Sequence, residues 1–230
     1  MNNTVDYIDI NTFSSVGEYV YAEIRRQIIN WQLKPGQRIS EAEMSKILNV
    51  SRTPVREGFI RLKNEGLVEI LSQRGTIISK IDLKKVEESV FIRKCLEKEV
   101  IKCLCGNLKE EDEAKCRRYI RKQEESLNDK DYIKFHKYDV EFHKVFFTAL
   151  NKEYTWDFIE YTNAQYERVR MLTLLDFDKF KQLYDAHIEL LDLIINDNFQ
   201  KASGLIDEHL DKIMDEIEVL KKEHKGDFIN

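Results

Sequence analysis

From Asp82 to His224 apolar side chains recur every three or four residues, with only short polar breaks and no strand-like alternation. That period predicts helices over about 82–105, 109–127, 130–150, 153–174, 177–196 and 199–223. Helices joined by such short breaks fold back on one another, so residues 82–224 are expected to form an antiparallel bundle of six to seven helices. Two prolines and eight glycines in 230 residues suit this mostly α reading. No run of about 18 apolar residues offers a membrane span. The opening MNNTVDYIDI carries acids and no basic segment leading into an apolar one, so it does not read as a secretory signal. Cys95, Cys103, Cys105 and Cys116 fit neither a disulfide framework nor a metal knuckle and are read as reduced thiols, which agrees with a cytoplasmic protein.

Residues 10–80 have a different grammar, and are expected to form a separate domain. A helical stripe (Val20, Ile24, Ile28, Trp31) ends at the turn pair Pro35-Gly36. Ser40 opens a short helix with Met44, Ile47 and Leu48 on its apolar side, and Asn49-Val50 makes a turn. Ser51 caps a second helix running to about Asn64, with Pro54 in its first turn, where a missing N–H does no harm. After Gly66 the period becomes strand-like, Leu67–Ile70 and Thr76–Ile78 about a turn at Ser72–Gly75. Helix, helix, turn, helix and hairpin in this order make a winged helix-turn-helix that binds double-stranded DNA. Arg52 and Arg56, four apart, share one face of the second short helix, and their forks match the O6 and N7 of guanine. Ser51 and Thr53 are placed to bind phosphate at the helix N-terminus. Arg61, Arg74 and Gly75 complete the expected DNA-binding set, with Gly75 letting the wing backbone approach a groove closely. The charge supports the division: residues 1–80 hold 11 Lys and Arg against 9 Asp and Glu, and the remainder 26 against 33.

The segment SEAEMSKILNVSRTPVREGFIRLKNEGLVEI followed by QRGTIIS resembles the DNA-binding domain of the GntR family of bacterial regulators, and VSRTPVRE at 50–57 is close to a family signature. The resemblance implies that Arg52 and Arg56 read bases, assisted by Thr53, and that Gly75 approaches the minor groove. Gly58-Phe59 stands where the family usually has Ala-Leu, and Gly58 lowers helix stability by about 1 kcal/mol against Ala.

In the bundle, polar residues sitting on apolar stripes are the informative feature. Arg93 and Glu97 interrupt the stripe Val86, Val90, Val100, Leu104, either as a local i,i+4 ion pair or with Arg93 turned into a cavity to bind a ligand carboxylate. Asp139 and His143 share a face beside Phe135, Phe142 and Phe146, and His187 and His209 lie on apolar stripes of two further helices. Three inward histidines and an aspartate have the composition of a site for Zn, Ni, Mn or Fe, and each alone would read as a hydrogen-bonded core residue. The combination D-x-x-F-H (139–143), AHIELL (186–191) and A-x-x-x-I-x-E-H-L (202–210) is similar to the ligand-binding domain of the FadR-like subfamily, in its metal-containing branch. That resemblance implies Asp139, His143, His187 and His209 as ligands of a divalent metal ion and Arg93 as the contact of an effector carboxylate. His136 is the alternative donor.

The function these features imply is a homodimeric transcription regulator, expected to be a repressor, that holds a near-palindromic operator and responds to a small carboxylate. Two other readings stand beside it: a purely structural metal with no small effector, and a metal-dependent hydrolase or lyase fused to a DNA-binding domain.

Overall fold

A computed structural model describes residues 9–71, 75–174 and 176–229. The chain separates into two compact units, one of residues 1–81 with 226–229 and one of residues 82–225.

In the first unit the Ser15 hydroxyl accepts from the Glu18 N–H and starts α1 (Val16–Ile29). Ser40 does the same for Glu43 at the head of α2 (Glu41–Ile47). Asn49 takes a positive φ of 53°, turning the chain into α3 (Arg52–Asn64). Val20, Ile24 and Ile28 of α1, Met44 of α2, and Val55, Phe59 and Leu62 of α3 form a core exposed by 1% or less. Gly58 has a packing reason that propensity alone hides: a Cβ there would stand 3.2 Å from the Val20 side chain, so the glycine lets α1 and α3 approach closely.

The wing is larger than the expected hairpin. β2 (Val68–Leu71) pairs with β3 (Gly75–Ile78), and β1 (Arg38–Ile39) adds on the other side of β3 with Arg38 opposite Ile77. A two-residue strand leaves no readable alternation, so β1 was invisible in the sequence. A second small sheet joins β4 (Ile81–Asp82) to β5 (Phe228–Ile229), bringing the last residues of the chain to the first unit.

The second unit is helical: α4 (Leu83–Leu104), α5 (Glu110–Asn128), α6 (Tyr132–Thr148), α7 (Glu153–Thr162), α8 (Ala164–Thr173), α9 (Phe177–Ile195) and α10 (Phe199–Glu223). The span read as one helix over 153–174 is two, broken at Asn163, which has φ −91° and ψ 0°. No proline or glycine marks the break. Its reason is burial, because all ten residues of α8 are buried, whereas α7 buries only Trp156 and Ile159. α8 is the helix around which α4, α6, α7 and α10 pack, and a straight continuation of half-exposed α7 would not enter that centre. No helix of the described residues is long and apolar enough to cross a membrane.

Candidate metal centre and nucleic-acid face

Asp139 and His143 are one turn apart on α6, so both side chains leave the same face. α9 contributes His187 and α10 contributes His209. One ligand atom from each of the four residues can be chosen so that all lie within 4.8 Å of one another, and all four residues are buried. The three imidazole centroids form a near-equilateral triangle, with separations of 5.2, 5.2 and 5.1 Å.

The groups behind the imidazoles determine which nitrogen faces inward. His187 Nδ1 lies 2.7 Å from Gln123 Oε1 on α5. The Gln123 amide is oriented by its own Nε2, which donates to the Tyr138 carbonyl, so its oxygen accepts the Nδ1–H and leaves a lone pair on His187 Nε2. His143 Nδ1 stands 2.9 Å from Glu97 Oε2, within ion-pair distance, but no hydrogen bond joins the two atoms and the contact does not set the tautomer of His143. The terminal nitrogen Nη2 of Arg170, a donor only, is 3.4 Å from His209 Nε2, so that nitrogen too is unprotonated.

Burial pushes His187 down to about 4, against the pull of Asp139, and holds His209 well below the ordinary histidine range, with the Arg170 charge adding to the effect. Burial alone would raise Asp139, but the Arg170 charge holds its carboxyl well below the usual range, and His187 Nε2 stands 3.1 Å from it. A neutral His187 and His209 beside an ionised Asp139 are in the protonation states in which such groups ligate a metal.

These residues fit a divalent cation on a further count. His143 Nε2 and His187 Nε2 are buried without a hydrogen-bond partner, an arrangement that is costly unless something accepts the lone pairs.

Arg93 is buried and its Nε donates to Glu97 Oε1 at 2.6 Å. The pair read from sequence as local therefore continues through the other oxygen of Glu97 toward His143. The Arg93 guanidinium carbon also lies 5.0 Å from the centroid of Tyr166, whose hydroxyl is buried without a partner. His136 is not brought to the cluster, as its Nε2 faces Glu167 at 2.5 Å.

The sequence reading missed Arg170, whose Nη2 donates to Asp139 Oδ1 at 2.8 Å, and the supporting roles of Gln123 and Glu97. Gln123 did leave a signal, a lone amide on the stripe Cys116, Ile120, Leu127. Arg170 left none, because its helix has no exposed face against which an inward one could be recognised.

On α3 the exposed side chains of Arg52, Thr53 and Arg56 share the N-terminal turns. Ser51 occupies the N-cap position but makes no side-chain capping bond, which leaves its hydroxyl available. Arg56 makes a two-point contact with Glu41 of α2 at 2.9 and 3.0 Å. Arg61 does not join this face: its guanidinium stacks 3.9 Å above the Tyr21 ring of α1. Gly75 has φ +87°, the left-handed region that favours glycine, at the start of β3. Arg74 lies outside the described residues.

Residues 88–212 match the family model described as the FCD domain, and residues 17–78 match that of the bacterial regulatory proteins of the gntR family. The HTH-type transcriptional repressor RspR of Escherichia coli K12 is 27% identical over 219 residues, which cover 95% of this chain and 96% of that protein. The Nta operon transcriptional regulator of Aminobacter aminovorans is 23% identical over 191 residues, 82% of this chain and 88% of that one. Among solved structures, E. coli McbR/YncC aligns with a TM-score of 0.77 at 17% identity, covering 93% of this chain and 100% of that chain.

Proposed function

This chain belongs to the GntR family of bacterial regulatory proteins, with an FCD domain over residues 88–212, and we propose that it is a homodimeric repressor whose hold on a near-palindromic operator is relieved by a small carboxylate sensed at a divalent metal ion. As a member of that family it is a DNA-binding transcriptional regulator. The repressor assignment follows its relative RspR, whose name is that of a repressor. Two recognition helices, one per protomer, would enter major grooves about 34 Å apart. Arg52 and Arg56 would read base edges while Ser51 and Thr53 grip phosphate.

The observation that carries the sensing half is the set of buried, unpartnered imidazole nitrogens facing Asp139. Asp139, His143, His187 and His209 would hold the ion. When bound, it supplies open coordination positions to a carboxylate. The chain's own residues do the remaining work. Gln123 orients the imidazole of His187, and Glu97 stands 2.9 Å behind that of His143. The Tyr166 hydroxyl and the Nε–H of Arg170, both buried and unpartnered, are ready to meet the acid, and Arg93 adds positive charge behind Tyr166. An acid that binds the DNA-released state more tightly than the DNA-bound state shifts the population toward release.

The test is a thermal-shift screen of metal-loaded protein against small carboxylic acids, repeated after chelation and in Arg170→Gln, with the bound metal identified by mass spectrometry. Saturation at about 100 times the dissociation constant adds about 2.7 kcal/mol of stability. A stabilising acid whose effect is lost on chelation and that lowers operator affinity supports the reading. A chelated protein that still responds to the acid refutes it.

A further inference from the structure

Beside the metal-ligand cluster, a cavity of about 260 Å³ opens between α8, α9 and α10. Its volume is just under the range of about 300–1,000 Å³ that holds drug-sized ligands, so it suits a small metabolite. Its buried end is Arg170, which reaches Asp139, and its walls include the apolar side chains of Leu183 and Ile213. Its exposed rim carries two lysines, and they are not equivalent. Lys179 is ion-paired with Glu216 and approaches Asp176 at 3.8 Å. Lys212, on the same rim, forms no hydrogen bond or ion pair among the described residues.

We propose that the effector is a small dicarboxylate, one of whose carboxylates is taken at the Arg170 end while the other is received by Lys212 at the mouth. The inference rests on the carboxylate-sensing reading above and names the class of acid. A cavity with one cationic end would suit a monocarboxylate with an apolar tail. Here a second cation, the exposed Lys212, lines the same cavity as the buried Arg170, with Leu183 and Ile213 also on its walls, and Glu216, the acid on that rim, is already engaged by Lys179. A diacid meets a positive group at each end and lays its methylenes against Leu183 and Ile213. An apolar tail would leave Lys212 unmatched.

The experiment uses the metal-loaded full chain and three matched pairs of acids, butanoate with succinate, pentanoate with glutarate and hexanoate with adipate, titrated by calorimetry into wild type, Lys212→Met and Lys212→Arg. Lys212 is exposed, so neither substitution endangers the fold. In wild type at least one diacid binds roughly five- to tenfold more tightly than its monoacid partner, the range of a charge-assisted contact at a partly wetted site. Lys212→Met removes that advantage and leaves the monoacid unchanged, and Lys212→Arg keeps it. Equal binding of both members of every pair, or an advantage that survives Lys212→Met, overturns the proposal while leaving carboxylate sensing intact. Failure of all six acids to bind overturns the dicarboxylate assignment, while failure of the whole carboxylic-acid screen overturns the sensing reading itself.

Discussion

The two units each contain an arginine held by a glutamate, and the two pairs show how differently the units are built. Arg56 and Glu41 meet at the surface, with 68% and 31% of their side chains exposed. Arg93 and Glu97 meet with 5% and 0% exposed. Water screens the first pair, and either residue can leave without stranding the other. In the second pair burial works against both charges, yet each charge overcomes it for the other: Glu97 is held down to about 2, by Arg93 first and His143 next, and Arg93 is raised by Glu97. DNA reading calls for side chains that can exchange partners, and a buried centre calls for side chains that cannot.

The largest effect that can break this contrast is removal of Glu97. Glu97→Gln leaves the Arg93 charge buried without its carboxylate, which should lower unfolding stability by about 3–5 kcal/mol. The amide also keeps one acceptor oxygen where the carboxylate has two, so the Arg93 Nε–H and His143 Nδ1 cannot both face an oxygen, and metal affinity should fall by about 10- to 100-fold. Replacing both partners, as Arg93→Met with Glu97→Leu, should recover much of the stability and none of the metal affinity. Urea unfolding and metal titration of the three proteins separate the two losses. If the double variant regained metal affinity, Glu97 would have no role in orienting His143.

The second test uses pH. All five histidines lie at or beyond residue 136, so histidine titration acts on the second unit alone. His187 titrates near 4 when folded, below its ordinary value. As pH falls through about 6.5 the unfolded chain takes up a proton that the folded one refuses, so stability drops until about 4, where the folded protein takes it up too. The loss approaches about 3 kcal/mol for a group this buried. Metal-free protein should show it, and His187→Gln should show a smaller loss, the part left by His209, read from the emission of buried Trp156 in a Trp31→Phe background. A metal-free wild type equally stable at pH 6.5 and pH 4.5 would contradict the neutral buried state of His187.

The same contrast explains what was legible in the sequence. The first unit could be read as motif because its candidate DNA-contacting side chains are local: Ser51, Arg52, Thr53 and Arg56 sit within two turns of one helix. In the second unit, the metal-ligand candidates appeared as polar residues out of place on apolar stripes, and the structure brings all four together. What supports them was harder to see. Glu97 looked complete once paired with Arg93, and nothing in a linear pattern shows that its second oxygen meets another helix. Arg170 was hidden because α8 is buried all round, and period analysis detects only helices with two different faces.

Gly58 gives a smaller and sharper test in the first unit. Propensity alone says that Gly58→Ala should stabilise α3 by about 1 kcal/mol. The new Cβ would lie 3.2 Å from the side chain of Val20, which is fully buried and would have to shift by a few tenths of an ångström. The expected result is therefore no gain, or a loss of up to about 1 kcal/mol as overpacking offsets propensity. A full gain of about 1 kcal/mol in urea unfolding would mean that α1 and α3 separate at little cost and that the close approach is not a constraint.

The smallest effect on stability is expected at Glu41, and there the contrast between units is most direct. Glu41 is held below the usual carboxylate range by its hydrogen bond to Arg56, but Arg56 is exposed and the bond is made in water. Glu41→Gln should leave the unfolding midpoint unchanged within measurement error, unlike the corresponding change at Glu97. Its consequence appears in DNA binding. The substitution removes a negative charge beside the recognition helix and frees the Arg56 fork from its two-point contact, so affinity should rise for any duplex, operator or not. The gain should shrink as salt is added, because the term altered is electrostatic and screened. Anisotropy titrations with an unrelated duplex at two salt concentrations measure it. If the variant instead bound every duplex more weakly, Glu41 would be bracing Arg56 in its reading position, and the surface pair would be held to one geometry just as the buried pair is.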